Sequence, residues 1–366
     1  MKPNKYLFIV GQLGNGGLER QLYYICQQLV EANNEVYVIC WNCDVNHFYY
    51  AQFKTLLNDK IIGYEISQSK LSKLKHLRKL IVNNKFSHII SFSAFTNFLT
   101  YSCAMGTNSK VFGSLRTSLL FYLKQQKIKA LLNLLFPKNI IANSIAAIEE
   151  RKQNKLIKLR TQFSLLQNVI DIQGVIKKSQ ADKITLNKNH FNTISVGNIR
   201  EAKRLDRLVE LFKYLKENHP KINIKHIHIG GGNIEWLNNL IKENKLEDYI
   251  VLKGQIDNVY PYIKESDTLL HFSDIEGASN VIMEAMCLSK PVVSTNCGDT
   301  SVYIKDNFNG FVYDKFDEKK FADSVIQLVE NRDILEKMSF NSFAVISQYD
   351  IRNSLRFFEK AINTDK

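Results

Sequence analysis

The sequence predicts an α/β protein made of two doubly wound, parallel-sheet domains facing across a cleft. Three observations carry this. Short apolar runs alternate with helical periodicity through the first half of the chain and again through the second. A polar stretch, Lys177-Lys178-Ser179-Gln180-Ala181-Asp182-Lys183, separates the two series. The chain is 366 residues long, more than a single core usually organises. The expected division is a first domain over 1–175, a linker over 176–190, a second domain over 191–348 and a terminal helix over 349–366. That helix is placed to pack back on the first domain.

The first series opens with the apolar run Tyr6–Val10, which ends at Gly11 and suits a strand buried on both faces. A glycine-rich loop, Gly11-Gln12-Leu13-Gly14-Asn15-Gly16-Gly17, leads into a helical pattern from Leu18 to about Ala32. Leu22, Ile25, Cys26 and Leu29 share one face of it. Val36–Trp41, His88–Phe92, Lys110–Gly113 and Asn139–Ala142 read as further strands. In the second series, strands are expected at Asn192–Val196, Lys225–Ile229, Ile250–Lys253, Thr268–Phe272 and Val292–Ser294. Helices are expected at Asp206–Asn218 and Ser279–Leu288, with a last one from Asp350 to Ala361.

Composition excludes several classes. Hydrophobic residues are 45% and charged residues 23%, normal for a globular chain and unlike disorder. No apolar run approaches the ~18 to 20 residues that span a bilayer, and Tyr6–Val10 is too short for a signal peptide. The six cysteines are scattered in apolar surroundings, and Cys40-x-x-Cys43 follows a strand with no second pair or histidines nearby. Ordinary thiols and a cytoplasmic location are expected.

Two loops carry the chemistry. The first is Ser273-Asp274-Ile275-Glu276-Gly277-Ala278-Ser279-Asn280, running into a helix that holds Glu284. A helix beginning near Ser279 turns its unbonded N–H groups and positive end toward the loop, where a diphosphate would sit well. Gly277 allows close approach of the backbone. Glu276 can accept hydrogen bonds from sugar hydroxyls, and Glu284 can reach a vicinal diol such as a ribose. The plain alternative is an acidic loop with a solvated helix face. The second loop is Gly197-Asn198-Ile199-Arg200-Glu201-Ala202-Lys203-Arg204. Lys203 with a neighbouring arginine would neutralise a departing diphosphate, and that interaction strengthens as the bond breaks. The alternative there is a solvated basic turn. Gly230-Gly231-Gly232 after a strand suits close approach to phosphate or base, although G-x-G-x-x-G is not completed. There is no H-E-x-x-H, no G-x-S-x-G and no D-x-D in a polar setting. His226 and His228 lie on an apolar run and read as strand residues.

In order and spacing, these segments resemble the retaining GT-B glycosyltransferases of family 4, which pair two Rossmann-like domains. Gly16-Gly17-Leu18-Glu19-Arg20 resembles the family's first loop and helix. Asn143-Ser144 and Asn168-Val169-Ile170-Asp171 resemble its landmarks before the linker. Gly197 to Lys203 resembles its phosphate-binding loop, and Glu276 through Glu284 its E-x7-E signature, followed by Pro291-Val292-Val293. The resemblance implies that Lys203 binds the donor diphosphate, Glu276 contacts the transferred sugar and Glu284 binds the ribose. Gly277 and Ala278 would present amides, with Gly197, Asn198, Gly230, Gly231, Ser279 and Asn280 lining the donor site. Where the family has arginine, this chain has Asn198; Arg200 is placed to supply the charge. The family's histidine after the fourth strand is replaced by Ser91-Phe92-Ser93-Ala94. Ser91-Phe92, Asn97 and Ser114-Leu115-Arg116 resemble instead a bacterial subgroup that builds surface polysaccharides (capsule, O-antigen) and lipid-linked oligosaccharides. Gly16, Gly17 and Arg116 then lie on the acceptor side. The implied reaction is retaining transfer of a hexose or N-acetylhexosamine from a nucleotide sugar, with UDP as the expected nucleotide and no metal or other cofactor. Front-face attack is implied, the departing phosphate taking the acceptor proton, with Glu276 positioning the donor.

Charge adds a partner. Residues 1–185 hold 25 Lys+Arg and 10 Asp+Glu, a net of +15, whereas residues 186–366 hold 24 and 26, a net of −2. No acidic residue lies between Glu65 and Glu149. Leu119–Phe136 and Lys70–Lys79 mix apolar residues with lysines, as an anionic inner-membrane surface would require. The expected acceptor is a glycan or a polyprenyl-diphosphate-linked sugar. No nucleic-acid reader with interleaved aromatics is found. The alternatives are a nucleotide-sugar epimerase on the same scaffold, or a non-catalytic protein that binds an anionic polymer.

Overall fold

Tyr6 to Val10 are all buried, as a strand with parallel neighbours on both edges and helices on both faces must be. The computed structural model describes residues 3–363 and resolves them into two compact units. The first unit spans Met1–Val169 and Ile351–Lys366, the second Ile170–Asp350. Met1, Lys2 and the last three residues of the expected terminal helix, Thr364–Lys366, lie outside the described residues.

The first unit holds a seven-stranded parallel sheet in the order β3-β2-β1-β4-β5-β6-β7. The strands are β1 Lys5–Val10, β2 Glu35–Cys43, β3 Ile61–Glu65, β4 His88–Ser91, β5 Lys110–Leu115, β6 Asn139–Ala142 and β7 Gln162–Leu165. The helix Gly17–Glu31 buries Leu22, Ile25, Cys26 and Leu29, the face that its periodicity marks. β3 and β7 were not expected. Gly63 interrupts the apolar pattern of one, and the other is four residues of mixed polarity. Cys40 and Cys43 lie on β2, where the register shifts between them, and burial pushes both thiols up.

The second unit holds a six-stranded parallel sheet in the order β10-β9-β8-β11-β12-β13. Its strands are β8 Phe191–Val196, β9 Ile224–Ile229, β10 Ile250–Leu252, β11 Thr268–His271, β12 Val292–Thr295 and β13 Gly310–Tyr313. The helix over Asp206–Asn218 falls where expected, and Ser279 is the N-cap of the helix Asn280–Cys287. His226 and His228 on β9 are buried and bonded to hydroxyls. Thr193 Oγ1 and Ser195 Oγ lie 2.7 and 2.8 Å from the two ring nitrogens of His226, and Ser195 Oγ lies 2.8 Å from His228 Nδ1.

The boundary is not the polar stretch. Asp171 caps the helix Ile172–Ser179 through the Gly174 amide at 2.8 Å, and Ile172 and Val175 are buried in a core of the second unit. The chain passes out of the first unit after Val169 and returns at Ile351; Ile170 and Asp350 pair as an isolated parallel bridge. Residues 180–190 are polar because they form a surface loop, not because they join domains. After the return, the helix Ser354–Ile362 buries Phe358, Ala361 and Ile362 in the first unit's core. The Phe358 ring lies 5.7 Å from the rings of both Tyr6 and Phe8. Among the described residues, no helix is long and apolar enough to cross a membrane.

Candidate functional site

Winding in the second unit reverses between the neighbours β8 and β11. In open parallel sheets, ligands bind outside the carboxyl ends of the strands at such a point. The two loops singled out by sequence leave those two ends: Gly197–Lys203 after β8, and Ser273–Ser279 after β11.

Asp274 locks the loops together. Its N–H donates to the Ala202 carbonyl at 3.0 Å. Its carboxylate accepts from Arg204 Nη1 at 2.8 Å and from Arg207 Nη1 at 2.6 Å. Arg207 Nη1 also donates to the Phe272 carbonyl at 2.9 Å, and Arg204 grips Asp206 with Nε and Nη2. Hydrogen bonds to Asp206 and then Asp274 hold the Arg204 guanidinium more firmly protonated than usual.

Held this way, Lys203 Nζ donates to Glu276 Oε1. Burial by itself would raise the Glu276 pKa, but the interactions with His271 and Lys203 outweigh it and lower it to about 2. Glu276 is therefore a carboxylate across the physiological range. His271, the last residue of β11, sits behind it. Its Nε2 is 3.4 Å from Glu276 Oε1, with Ser273 Oγ at 3.3 Å and Ser279 Oγ at 3.4 Å. Its Nδ1 faces Ser294 Oγ at 3.1 Å, and that hydroxyl donates to the Thr295 carbonyl at 2.8 Å.

Ser279 makes no side-chain cap bond; its hydroxyl turns to His271 instead. The positive end of the helix Asn280–Cys287 thus begins beside Glu276 and Gly277 without a side-chain cap. Glu284, one turn into that helix, is buried rather than solvated, and the Tyr260 hydroxyl lies 3.5 Å from its Oε1. The Gly277 carbonyl accepts from Asp299 N–H at 2.8 Å. Gly298, at φ +56, packs so tightly there that a Cβ would collide with the Gly277 carbonyl.

The three glycines after β9 have a structural reason. A Cβ on Gly230 would strike the Gly197 carbonyl, and one on Gly232 would lie 2.6 Å from the Ile199 carbonyl. Asn198 Oδ1 accepts from Gly231 N–H at 3.3 Å, and Ile199 N–H donates to the Gly231 carbonyl at 2.7 Å. The glycines let two carboxyl-edge loops run against each other, which holds Gly197 next to Lys203.

Arg200 is not brought to the Lys203–Glu276 pair. It is exposed and lines a different cavity of about 410 Å³ with Glu201, Asn233 and Trp236. Asn198, where the resemblance leads one to expect arginine, accepts from the Gly231 amide. Sequence reasoning missed His271, Arg207 and Gly298, and gave Asp274 no role of its own. The Cys297-Gly298-Asp299 turn after β12 was the one visible signal for Gly298.

In the first unit, Gly16 is the extended N-cap of the helix Gly17–Glu31, and the Glu19 carboxylate folds back over it. Arg116 follows β5, its guanidinium 4.0 Å from the centroid of the Phe92 ring.

Comparison with known proteins fits this geometry. Residues 176–344 match the family model described as glycosyl transferases group 1. The match lies within the second unit and covers under half of the chain. In solved structures the whole fold recurs. Anabaena HepE, crystallised in complex with UDP, superposes with a TM-score of 0.80 at 17% identity, covering 98% of this chain and 100% of that one. Both units together are the GT-B architecture. Among curated glycosyltransferases, Campylobacter jejuni N-acetylgalactosamine-N,N'-diacetylbacillosaminyl-diphospho-undecaprenol 4-alpha-N-acetylgalactosaminyltransferase is 33% identical over 46% of this chain and 44% of its own. Poly(ribitol-phosphate) alpha-N-acetylglucosaminyltransferase of Staphylococcus aureus is 28% identical over 61% of this chain and 44% of its own. The chain spans about half the length of the curated relatives it matches, from 44% to 61%.

Proposed function

We propose that this chain is a retaining, metal-independent glycosyltransferase. It moves a hexose or N-acetylhexosamine from a UDP-sugar to a glycan or lipid-linked acceptor in bacterial surface-polymer synthesis. The observation that carries the reading is the Lys203–Glu276 pair, set between two carboxyl-edge loops and beside the start of the helix Asn280–Cys287. Lys203 and the helix end together supply positive charge where a diphosphate would depart, so the leaving group is stabilised by the chain's own residues. A donor diphosphate competes with Glu276 for the Lys203 ammonium. The freed carboxylate, still ionised, then accepts hydrogen bonds from hydroxyls of the sugar. Glu284 takes the ribose diol, and the departing phosphate takes the acceptor proton on the face where the acceptor attacks. UDP in the Anabaena structure and the diphospho-undecaprenol and poly(ribitol-phosphate) acceptors named for the two relatives support the choice of substrates.

A membrane-bound acceptor agrees with the first unit's surface. Leu120, Ile128, Leu132 and Phe136 are exposed on or beside the helix Leu119–Leu135, among Lys124, Lys127 and Lys129. Cosedimentation with anionic but not zwitterionic vesicles is expected; equal partition to both would remove the electrostatic part of this reading.

The test of function is a thermal-shift screen against UDP, GDP, ADP and TDP sugars with and without EDTA, followed by transfer assays. A ligand that binds only the folded chain raises its melting temperature. UDP-sugars are expected to raise it equally in EDTA. Lys203→Ala and Glu276→Ala are expected to lose at least ~100-fold in transfer, the loss typical of removing one transition-state contact, while the fold survives. Near-normal turnover by either variant would place the donor site elsewhere.

A further inference from the structure

Arg116 stands at the carboxyl edge of the first sheet, after β5, between Phe92 after β4 and Asn143 after β6. Its guanidinium carbon lies over the Phe92 ring, 4.0 Å from the centroid. Nε and Nη2 are both shielded from water, and neither has a hydrogen-bond partner. These two nitrogens form one edge of the guanidinium, with their N–H bonds side by side, the fork that grips two oxygens of one phosphate or carboxylate. Asn143 Oδ1, on the neighbouring strand end, is also buried and unbonded.

An arginine kept for structure is normally paired, because a buried charge without a partner is costly. Here the acids are committed elsewhere. None lies between Glu65 and Glu149 in sequence. Glu150 accepts from Ser118 Oγ at 2.9 Å and from Leu119 N–H at 2.5 Å, at the start of the next helix. Glu19 folds over Gly16. Burial lowers the Arg116 pKa to about 9, which leaves it cationic at neutral pH. A fixed, oriented and unpaired fork in a strongly basic half of the chain is a receptor for an anion.

We propose that Arg116, lying over Phe92, is the gripping fork of an oxyanion site in the first unit, and that its ligand is a phosphoryl group carried by the acceptor. Only the identity of the bearer rests on the transferase reading; anion binding itself does not. Phosphoryl is chosen because both relatives act on phosphate-bearing acceptors by name.

The test uses the full chain with excess UDP, so that the Lys203 loop is filled. Inorganic pyrophosphate is titrated calorimetrically into the native protein, Arg116→Gln and Arg116→Lys. Native binding is expected to weaken at least tenfold in Arg116→Gln and less in Arg116→Lys, with UDP affinity the same in all three. Without ligand, Arg116→Gln is expected to melt at or above the native temperature, since an unpaired charge is removed. Pyrophosphate binding that is absent, or unchanged in Arg116→Gln, overturns the site. A clear fall in melting temperature overturns it too, because Arg116 would then be a structural residue. Repeating the titration in Lys203→Ala distinguishes failure of this site from failure of the donor site: loss of UDP binding there leaves the Arg116 signal in place. A short-chain prenyl-diphosphate sugar is expected to bind at least tenfold tighter than pyrophosphate. Equal affinity means a free anion is the ligand and overturns the acceptor assignment.

Discussion

Glu276 holds its charge against burial, and the reason is local: Lys203 and His271 meet the same carboxylate oxygen. As candidates, Lys203 and Glu276 were legible because glycine, lysine and glutamate recur at a spacing that a phosphate-binding loop and a helix start both need. The part of His271 was not, because a histidine ending an apolar strand looks like its neighbours His226 and His228 until its partners are seen. Arg200 shows the opposite failure. Spacing says that an arginine is near, but not which way it turns, and Arg204, in a left-handed backbone conformation, takes the place beside Asp274 while Arg200 faces solvent. A residue-scale prediction follows from the loop contact. Gly230→Ala forces a methyl group into the Gly197 carbonyl, costing about 1–3 kcal/mol by overpacking. Its melting temperature is expected to fall by several degrees, with donor affinity weakened as Gly197 moves from Lys203. An unchanged melting curve would mean that the two loops are not in contact.

Elements were easier to read than residues. Strand positions followed from apolar runs, and the helix Asp206–Asn218 from its periodicity, because buried strands and one-sided helices write their burial into the sequence. β3, β7 and β13 escaped because each is short, contains or begins at glycine, or is partly polar. The helix Leu119–Leu135 is less regular than its composition suggests: Lys127 has φ 46 and ψ −121, so the lysine-rich face is kinked rather than continuous. The clamp between the β8 and β11 loops is the element whose stiffness matters most for chemistry, since it fixes Lys203 against Glu276 from two separate stretches of chain. Asp274→Ala removes the shared acceptor of Arg204 and Arg207. Faster amide exchange over 197–204 and a transfer rate down about tenfold are expected, the size of a lost positioning contact. Native exchange rates in that variant would show that Asp206 alone holds the loop.

For the molecule as a whole, buried histidines set the response to acid. Burial lowers His228 to about 4, and burial with the nearby Lys110 does the same for His88; burial beside His228 lowers His226 well below its ordinary value too. Unfolded, each titrates near 6.5. As pH falls below 6.5 the unfolded chain takes up protons that the folded chain refuses, so stability declines until about pH 4. Glu276 extends the decline, since its unfolded carboxyl protonates near 4.5 and its folded one at about 2. The melting temperature is expected to drop steadily from pH 6.5 to 4; a flat profile would mean that these rings are protonated in the fold. Domain boundaries were the least legible feature at this scale. Polar composition marks exposed chain, and exposed chain is as common within a unit as between units.

The return of the chain at Ile351 has a consequence for synthesis. While the polypeptide grows on the ribosome, the second unit is complete in sequence once Asp350 has emerged, although it starts 169 residues after the first. The first unit waits longer, because Phe358, Ala361 and Ile362 plug a core whose other walls were translated hundreds of residues earlier. Until they arrive, Tyr6, Phe8 and Leu22 have an unfilled neighbour. The half made first is therefore finished last, and its nascent form is the one that a chaperone would find open.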